Sequence, residues 1–266
     1  MDLLRKSQAP VTDAAWHEIE ETVSRVLRAQ LRGRAVVDVD GPHGLQQAAV
    51  GLGRLEVGDN PGPGAVGWGV HRVQPLLESR ITFELDLWEL DNVDRGAEDV
   101  DLGAAEDAAR AIARFEDEAI FTGFEQGGVT GLMQQAEHDP LPLALEPGPF
   151  LEAVARALLA MKDAAVEGPY ALVLGTEAYR LYATHVGGYP LKKQVHNLLD
   201  GPVHYTPTLE GGLLLSQRGG DFALTLGQDL ALGYENRTDR TVSLYLSESF
   251  TFRVVDPLGC VPLPPA

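Results

Sequence analysis

Between residues 12 and 33 the apolar positions keep a helical rhythm. Trp16, Ile19, Val23, Val26, Leu27 and Leu31 share one arc of a wheel with 3.6 residues per turn. Thr12 is placed as an N-cap, Asp13 suits the first turn, and Gly33 is expected as the C-cap. Such a stripe covers a core. The row Arg25, Arg28, Arg32 beside it also suits a helix that faces a partner.

Beyond it, Ala35–Val39 reads as a strand ended by the turn Asp40-Gly41-Pro42. From Gly51 to Gly69, seven of nineteen residues are glycine and two are proline, which excludes a helix and leaves too little apolar surface for a core. A long extended arm is expected. An arm needs another surface to lie on, so assembly is the first functional implication. Ile81–Leu87 alternates, with Ile81, Phe83, Leu85 and Leu87 on one face. Carried one step further, that alternation sets Trp88 with Glu84 and Asp86, exposed or at a subunit contact.

Gly103–Thr122 predicts a long helix whose stripe (Ala105, Ala108, Ile112, Phe115, Ala119) is mostly small and allows close packing. Phe150–Ala165 predicts another. Ala171–Leu174 reads as a buried strand, followed by a short helix from Thr176, a loop over 184–190 and a helix from Pro190. Strands are expected at Leu213–Ser216, Phe222–Leu226 and Val242–Val255. The tail Pro257–Ala266 holds four prolines and is expected to pack against nothing in particular.

Composition narrows the function. The chain has 266 residues, 44% hydrophobic and 23% charged, enough for a sizeable core. Its net charge of −18 repels phosphate backbones, so nucleic acid is not an expected partner. Residues 1–34 hold six basic and five acidic residues, so this first stretch, at +1, is a basic element on an acidic body. One cysteine, Cys260, excludes an intrachain disulfide framework and fits a reducing cytoplasm. No apolar run approaches the ~20 residues of a bilayer span, and the first residues lack the apolar core of a signal peptide. No membrane partner is expected.

Candidate chemistry is sparse. Gly62, Gly64 and Gly67 spell G-x-G-x-x-G, but Pro61 and Pro63 interrupt it and Trp68-Gly69 follow, where a dinucleotide site needs a helix start. The seven histidines (17, 43, 71, 138, 185, 196, 204) share no metal-ligand spacing, and no metal is expected. Glu84, Asp86, Glu89, Asp91 and Asp94 crowd together, in the manner of a solvated face. Cys260 has no histidine beside it to make it a nucleophile. The residues alone define no enzyme.

Several segments nevertheless match a known pattern: LLRKSQAPVTDAAWHEIE, LRGRAVVDVDGPHG, FELDLWELDNVDRG, FEDEAIFTG, EGPYALVLGTEAYR, RGGDFALTLGQDLALGY and YLSESFTFRV. In this order, over nearly the whole chain, they resemble the encapsulin shell proteins of the linocin-like family, the family 1 encapsulins. The arm is richer in glycine and proline than that pattern, and the tail after Val255 diverges.

The resemblance implies an α+β chain with the fold of a tailed-bacteriophage major capsid protein. By that likeness, residues 1–47 supply the N-terminal helix and first strand of a peripheral domain, and 48–80 an extended loop. Residues 81–139 continue the peripheral domain with its spine helix. An axial domain covers 140–220, and 221–266 return to the peripheral domain. The implied function is a non-enzymatic shell component: sixty copies or a multiple enclose a cargo enzyme in the bacterial cytoplasm. The cargo implied is a dye-decolourising peroxidase or a ferritin-like protein, held by a short terminal peptide.

The likeness further implies a peptide site at Ile19, Val23, Leu27, Leu31, Arg34 and Asp38, the last two in its GR-x-x-x-D pattern, with Leu230, Leu232 and Tyr234 opposite. It implies a five-fold pore lined by Thr184, His185, Val186, Gly187, Gly188 and Tyr189. No cofactor is required, although a flavin contact at Trp88 is suggested. The competing expectations are a phage or prophage major capsid protein and, with no catalytic constellation behind it, a hydrolase or bacteriocin.

Overall fold

The first helix forms where its stripe and cap place it. The Thr12 hydroxyl accepts a hydrogen bond from the Ala15 amide at 3.2 Å and donates to Asp94 at 2.7 Å. The computed structural model describes residues 3–59, 62–185 and 187–266. Its first part runs α1 (Asp13–Gln30), β1 (Asp38–Asp40), β2 (Ala49–Val57), β3 (Gly69–Pro75), β4 (Leu77–Asp86), α2 (Leu87–Asp94), α3 (Gly103–Phe121) and α4 (Leu132–Gln135). A middle part follows with α5 (Pro147–Asp163), β5 (Tyr170–Leu174), α6 (Thr176–Thr184), α7 (Leu191–Leu199), β6 (Val203–Tyr205) and β7 (Gly212–Ser216). The chain ends with β8 (Phe222–Leu226), β9 (Ala231–Arg237), β10 (Thr241–Val254) and β11 (Cys260–Leu263).

Strand β10 organises the first sheet. Antiparallel β4 pairs along one edge, while β9 and β8 share the other, and β1 joins β8 in parallel. Val242, Leu244 and Leu246 of β10 pack with Ile19, Val23 and Val26 of α1 and with the small residues of α3. Both helices thus cover one face of this sheet. The second sheet has the order β11-β7-β5-β6. Phe150, Val154 and Met161 of α5 and Leu191 and Val195 of α7 pack on one of its faces. Its other face meets Phe222, Leu224, Phe250 and Phe252 of the first sheet and the end of α3. Covered on both sides, β5 is buried at all five positions, which is why YALVL reads as a continuous apolar run.

Strands β2 and β3 form a separate two-stranded ladder. Its register shifts between Gly51 and Arg54, where Gly53 takes a φ of +66°. Leu55, Val57, Trp68, Val70 and Val73 along it are each more than half exposed.

Five readings change. Leu31 rather than Gly33 closes α1, and Gly33–Ala35 is a 3₁₀ turn, so the strand is only Asp38–Asp40. Trp88 lies in the first turn of α2, because the Asp86 carboxylate caps the Trp88 amide at 2.8 Å and ends the strand alternation. Pro190 caps α7 from outside the helix. Ala231–Arg237 is a strand that the alternation did not announce. The proline-rich tail is packed: Cys260, Val261 and Leu263 are fully buried as β11 pairs with β7.

Candidate functional site

The turn after α1 is held from α3. Asp117 accepts the Arg32 amide at 3.0 Å and the Gly33 amide at 2.8 Å. A Cβ at Gly33 would stand 2.5 Å from Ile120 Cδ1, so any larger residue would push the Ile120 side chain aside. Burial raises the Asp117 carboxyl to about 7, although the Gly33 and Arg32 amides pull the other way.

The turn sends Arg34 inward. Its Nε donates to Glu116 at 2.9 Å, its Nη1 to Asp229 at 2.8 Å, and its Nη2 to Glu116 at 2.6 Å and Glu248 at 3.3 Å. Glu116 on α3 and Glu248 on β10 are fully buried. Burial, then the Glu116 charge, push Glu248 well above the ordinary carboxylate range. Burial opposes the charge on Arg34, but Glu116 and then Asp229 outweigh it and raise the guanidinium above its ordinary value.

Arg34 and Asp229 close part of a surface groove of about 480 Å³. Val23, Leu27 and Leu31 form its α1 wall, Leu230–Leu232 the facing wall at the start of β9, and Leu246 of β10 lies between them. Lys6, paired with Glu20 and 5.4 Å from the Trp16 ring, stands on the rim with Arg28. An aliphatic strip bordered by both signs of charge suits an extended peptide with small aliphatic side chains.

Six of the nine residues expected at a peptide site line this groove: Val23, Leu27, Leu31, Arg34, Leu230 and Leu232. Three do not. Ile19 is fully buried under α1. Asp38 accepts the Gly220 amide at 2.6 Å in a separate hollow, because the 3₁₀ turn breaks the straight spacing between it and Arg34. Tyr234 lies off the groove, its amide donating to the Leu4 carbonyl. The sequence reading missed Glu116, Glu248 and Asp229. A signal existed: Glu116 follows Ile112 by four on the α3 stripe, and Glu248 interrupts Val242, Leu244, Leu246, Phe250 and Phe252 on the inward face of β10. A charge on an apolar face marks a buried pair.

The expected pore residues connect α6 to α7. Val186 lies outside the described residues. The Thr184 hydroxyl donates to the Arg180 carbonyl, and the His185 amide donates to Leu181, capping α6. Gly188 has a φ of +69°, which turns the chain back. Tyr189 is half exposed, its carbonyl accepting from Gln194 at 2.7 Å and its hydroxyl from Asn197.

Trp88 is 71% exposed beside a hollow lined by Glu84, Asp86, Glu89 and Asp101. Among the described residues no lysine or arginine lines it, and Arg240 nearby is engaged with Asp86. Four carboxylates repel the phosphate of a flavin mononucleotide, so these residues do not fit that cofactor. Cys260 is equally inert: it is fully buried, and burial pushes its thiol up to about 12.

Comparison with solved structures defines the class. A virus-like particle from Pyrococcus furiosus superposes with a TM-score of 0.67 at 15% identity, covering 92% of this chain and 98% of that one. The capsid of Myoviridae phage XM1 superposes with a TM-score of 0.58 at 11% identity, over 86% and 90% of the two chains. The fold is therefore that of a tailed-phage capsid subunit. The profile of the Linocin_M18 family, described as "Encapsulating protein for peroxidase", matches residues 1–251. The chain is 42% identical to a type 1 encapsulin shell protein of Rhodospirillum rubrum, over 99% of this chain and 96% of that protein. It is 39% identical to that of Rhodococcus erythropolis over 95% and 96%, and 36% identical to that of Mycobacterium tuberculosis over 95% of each. The chain belongs to the type 1 encapsulin shell protein family.

Proposed function

We propose that this shell subunit assembles with copies of itself, sixty or a multiple, into a closed icosahedral compartment in the bacterial cytoplasm. The compartment holds a cargo enzyme by a terminal peptide seated between α1 and β9. The subunit itself does no chemistry. Identity to relatives named as encapsulin shell proteins favours this over a prophage capsid. Among the described residues no helix is long and apolar enough to cross a membrane. The family description points to a peroxidase as the first cargo to seek, with a ferritin-like protein as the alternative.

The observation that carries the reading is the arm. Among the described residues, strands β2 and β3 pair as strands only with each other, and they expose apolar residues along their length. A two-stranded ribbon is marginal alone in water. Laid on a neighbouring copy, the arm supplies both strand order and subunit contact. The groove gives the second element, a docking place whose single-site affinity need be only micromolar, about −8 kcal/mol, because many sites face one enclosed cargo. By the same reading, the α6–α7 loop with its two glycines lines a pore where five copies converge.

Cargo uptake tests the docking part. A peroxidase carrying a terminal targeting peptide is co-expressed with the wild-type chain and with Leu27→Asp. The charge spoils the apolar wall. Leu27 is half-buried at the edge of the core, so particle size and thermal stability are checked alongside uptake. Shells of normal size that emerge empty from Leu27→Asp support docking in this groove, and shells that fill as well as wild type remove it.

A further inference from the structure

Arg34 sits at the meeting point of the two groove walls. The chain leaves α1, turns at Gly33 and places the guanidinium against Asp229, the residue immediately before the facing wall. The Leu230 amide also donates to Asp229 at 2.8 Å, so the carboxylate fixes the start of that wall. Beneath lie Glu116 and Glu248, with Ser79 of β4 donating to Glu248 at 3.4 Å. The Arg34 side chain is only 18% exposed, and all three of its nitrogens are engaged with carboxylates. Little of it is left to read a charge on a docked peptide.

We propose that Arg34 is a positioning residue rather than a peptide contact: it ties the β9 wall of the groove to α3 and β10 through Asp229, Glu116 and Glu248, and the charge on the buried Glu116–Glu248 pair sets how firmly. This rests on the groove being the docking place. Three carboxylates face one guanidinium. With one proton on the buried pair, two negative charges remain for one positive. When that proton leaves, three remain, two of them desolvated. Asp229 is the member that can move at least cost, since its side chain is 46% exposed while the other two are enclosed. Its departure frees Leu230–Leu232.

The direction follows from the pair. A carboxyl raised above its ordinary range stabilises the fold below that range, and the contribution is lost as pH rises through the raised value. The wall is therefore tight in mild acid and loosens in alkali. Other charged groups face the same corner. Asp117 holds the Arg32 and Gly33 amides, burial and then the Arg32 charge push His204 down, and Lys6–Glu20 and Arg28 line the groove. Asp117 acts in the same direction, because it too is raised, to about 7.

Hydrogen exchange on intact assembled shells reads this without any cargo. Protection of residues 229–234 is compared at pH 6 and pH 9 after correction for the intrinsic rates. Wild type is expected to lose protection about tenfold or more at the higher pH, the change that one pKa unit of coupling yields. Asp117→Asn removes the other raised carboxyl at this corner and serves as the background: alone it should still loosen with pH, and with Glu248→Gln added, which keeps the shape, protection should stay level. Glu116→Gln takes the place of Glu248→Gln if that double variant fails to assemble. A flat profile in wild type or in Asp117→Asn alone, or a double variant that loosens with pH as wild type does, overturns the proposal. A level double variant on a loosening background upholds it, and a separate failure of Leu27→Asp to empty the shells would overturn only the docking reading.

Discussion

Replacing Arg34 by methionine removes the cation that touches both Glu116 and Glu248 while keeping most of the side-chain volume. Both carboxylates are fully enclosed, and Arg34 contacts them at 2.6 and 3.3 Å. Breaking a buried ion pair by removing one partner costs about 3–5 kcal/mol, because the remaining charge is left uncompensated. For a domain of this size each kcal/mol moves Tm by roughly 2–4 °C, so a fall of about 6–20 °C is expected at pH 7.5. The deficit should shrink toward pH 5, because acid favours the neutral form of Glu248, which burial already raises. Asp229→Asn is the control. That partner is half exposed, and its loss should cost no more than about 1 kcal/mol. Replacing all three groups together (Arg34→Met, Glu116→Leu, Glu248→Met) should recover most of the loss, as apolar packing substitutes for a buried triad. Scanning calorimetry of purified shells at both pH values measures each quantity. An Arg34→Met chain no less stable than Asp229→Asn at pH 7.5, or equally destabilised at both pH values, would refute the reasoning.

Three further outcomes are expected. Cys260 should resist a thiol reagent in native shells and react once per chain after unfolding, since it is enclosed and its thiol is held protonated up to about 12; native labelling would contradict the buried β11. Deleting residues 58–67 shortens the arm and should leave subunits that fold but do not close, seen as loss of large particles in size exclusion; intact shells of normal stability would show that the arm is dispensable. Shells purified from cells should show no visible flavin absorbance, and added flavin mononucleotide should leave Trp88 fluorescence unquenched. Stoichiometric flavin would mean that the four carboxylates are compensated by another subunit.

Much of the fold was legible because burial here follows simple periods. The α1 stripe, the small-residue face of α3, the apolar run of β5 and the alternation of β10 each state their elements directly. Two strands were hidden by local chemistry. Gly233 breaks the apolar pattern of β9 because Tyr245 of the neighbouring strand lies over it, 2.2 Å from where a Cβ would be. Pro262 disguises β11, yet β11 is the edge strand of its sheet, where a missing amide donor is tolerated. Trp88 was misplaced although Asp86-Leu87-Trp88-Glu89 has the acid-x-x-Glu spacing of a helix start.

The groove was half legible. Its α1 wall follows from the stripe, but the Arg34 network joins residues 82 and 214 positions apart. Spacing cannot show such a meeting. The GR-x-x-x-D spacing does not bring its two charges together for the converse reason, since a 3₁₀ turn between Arg34 and Asp38 sends them to different surfaces.

The central claim is that this chain closes on itself. Electron microscopy of the full-length chain, expressed without cargo and purified, tests it most directly. The account predicts closed particles of uniform size with icosahedral symmetry, in which the β2–β3 arm of each subunit lies across a neighbour. A monodisperse small oligomer, with the arm folded back on its own subunit, would contradict it.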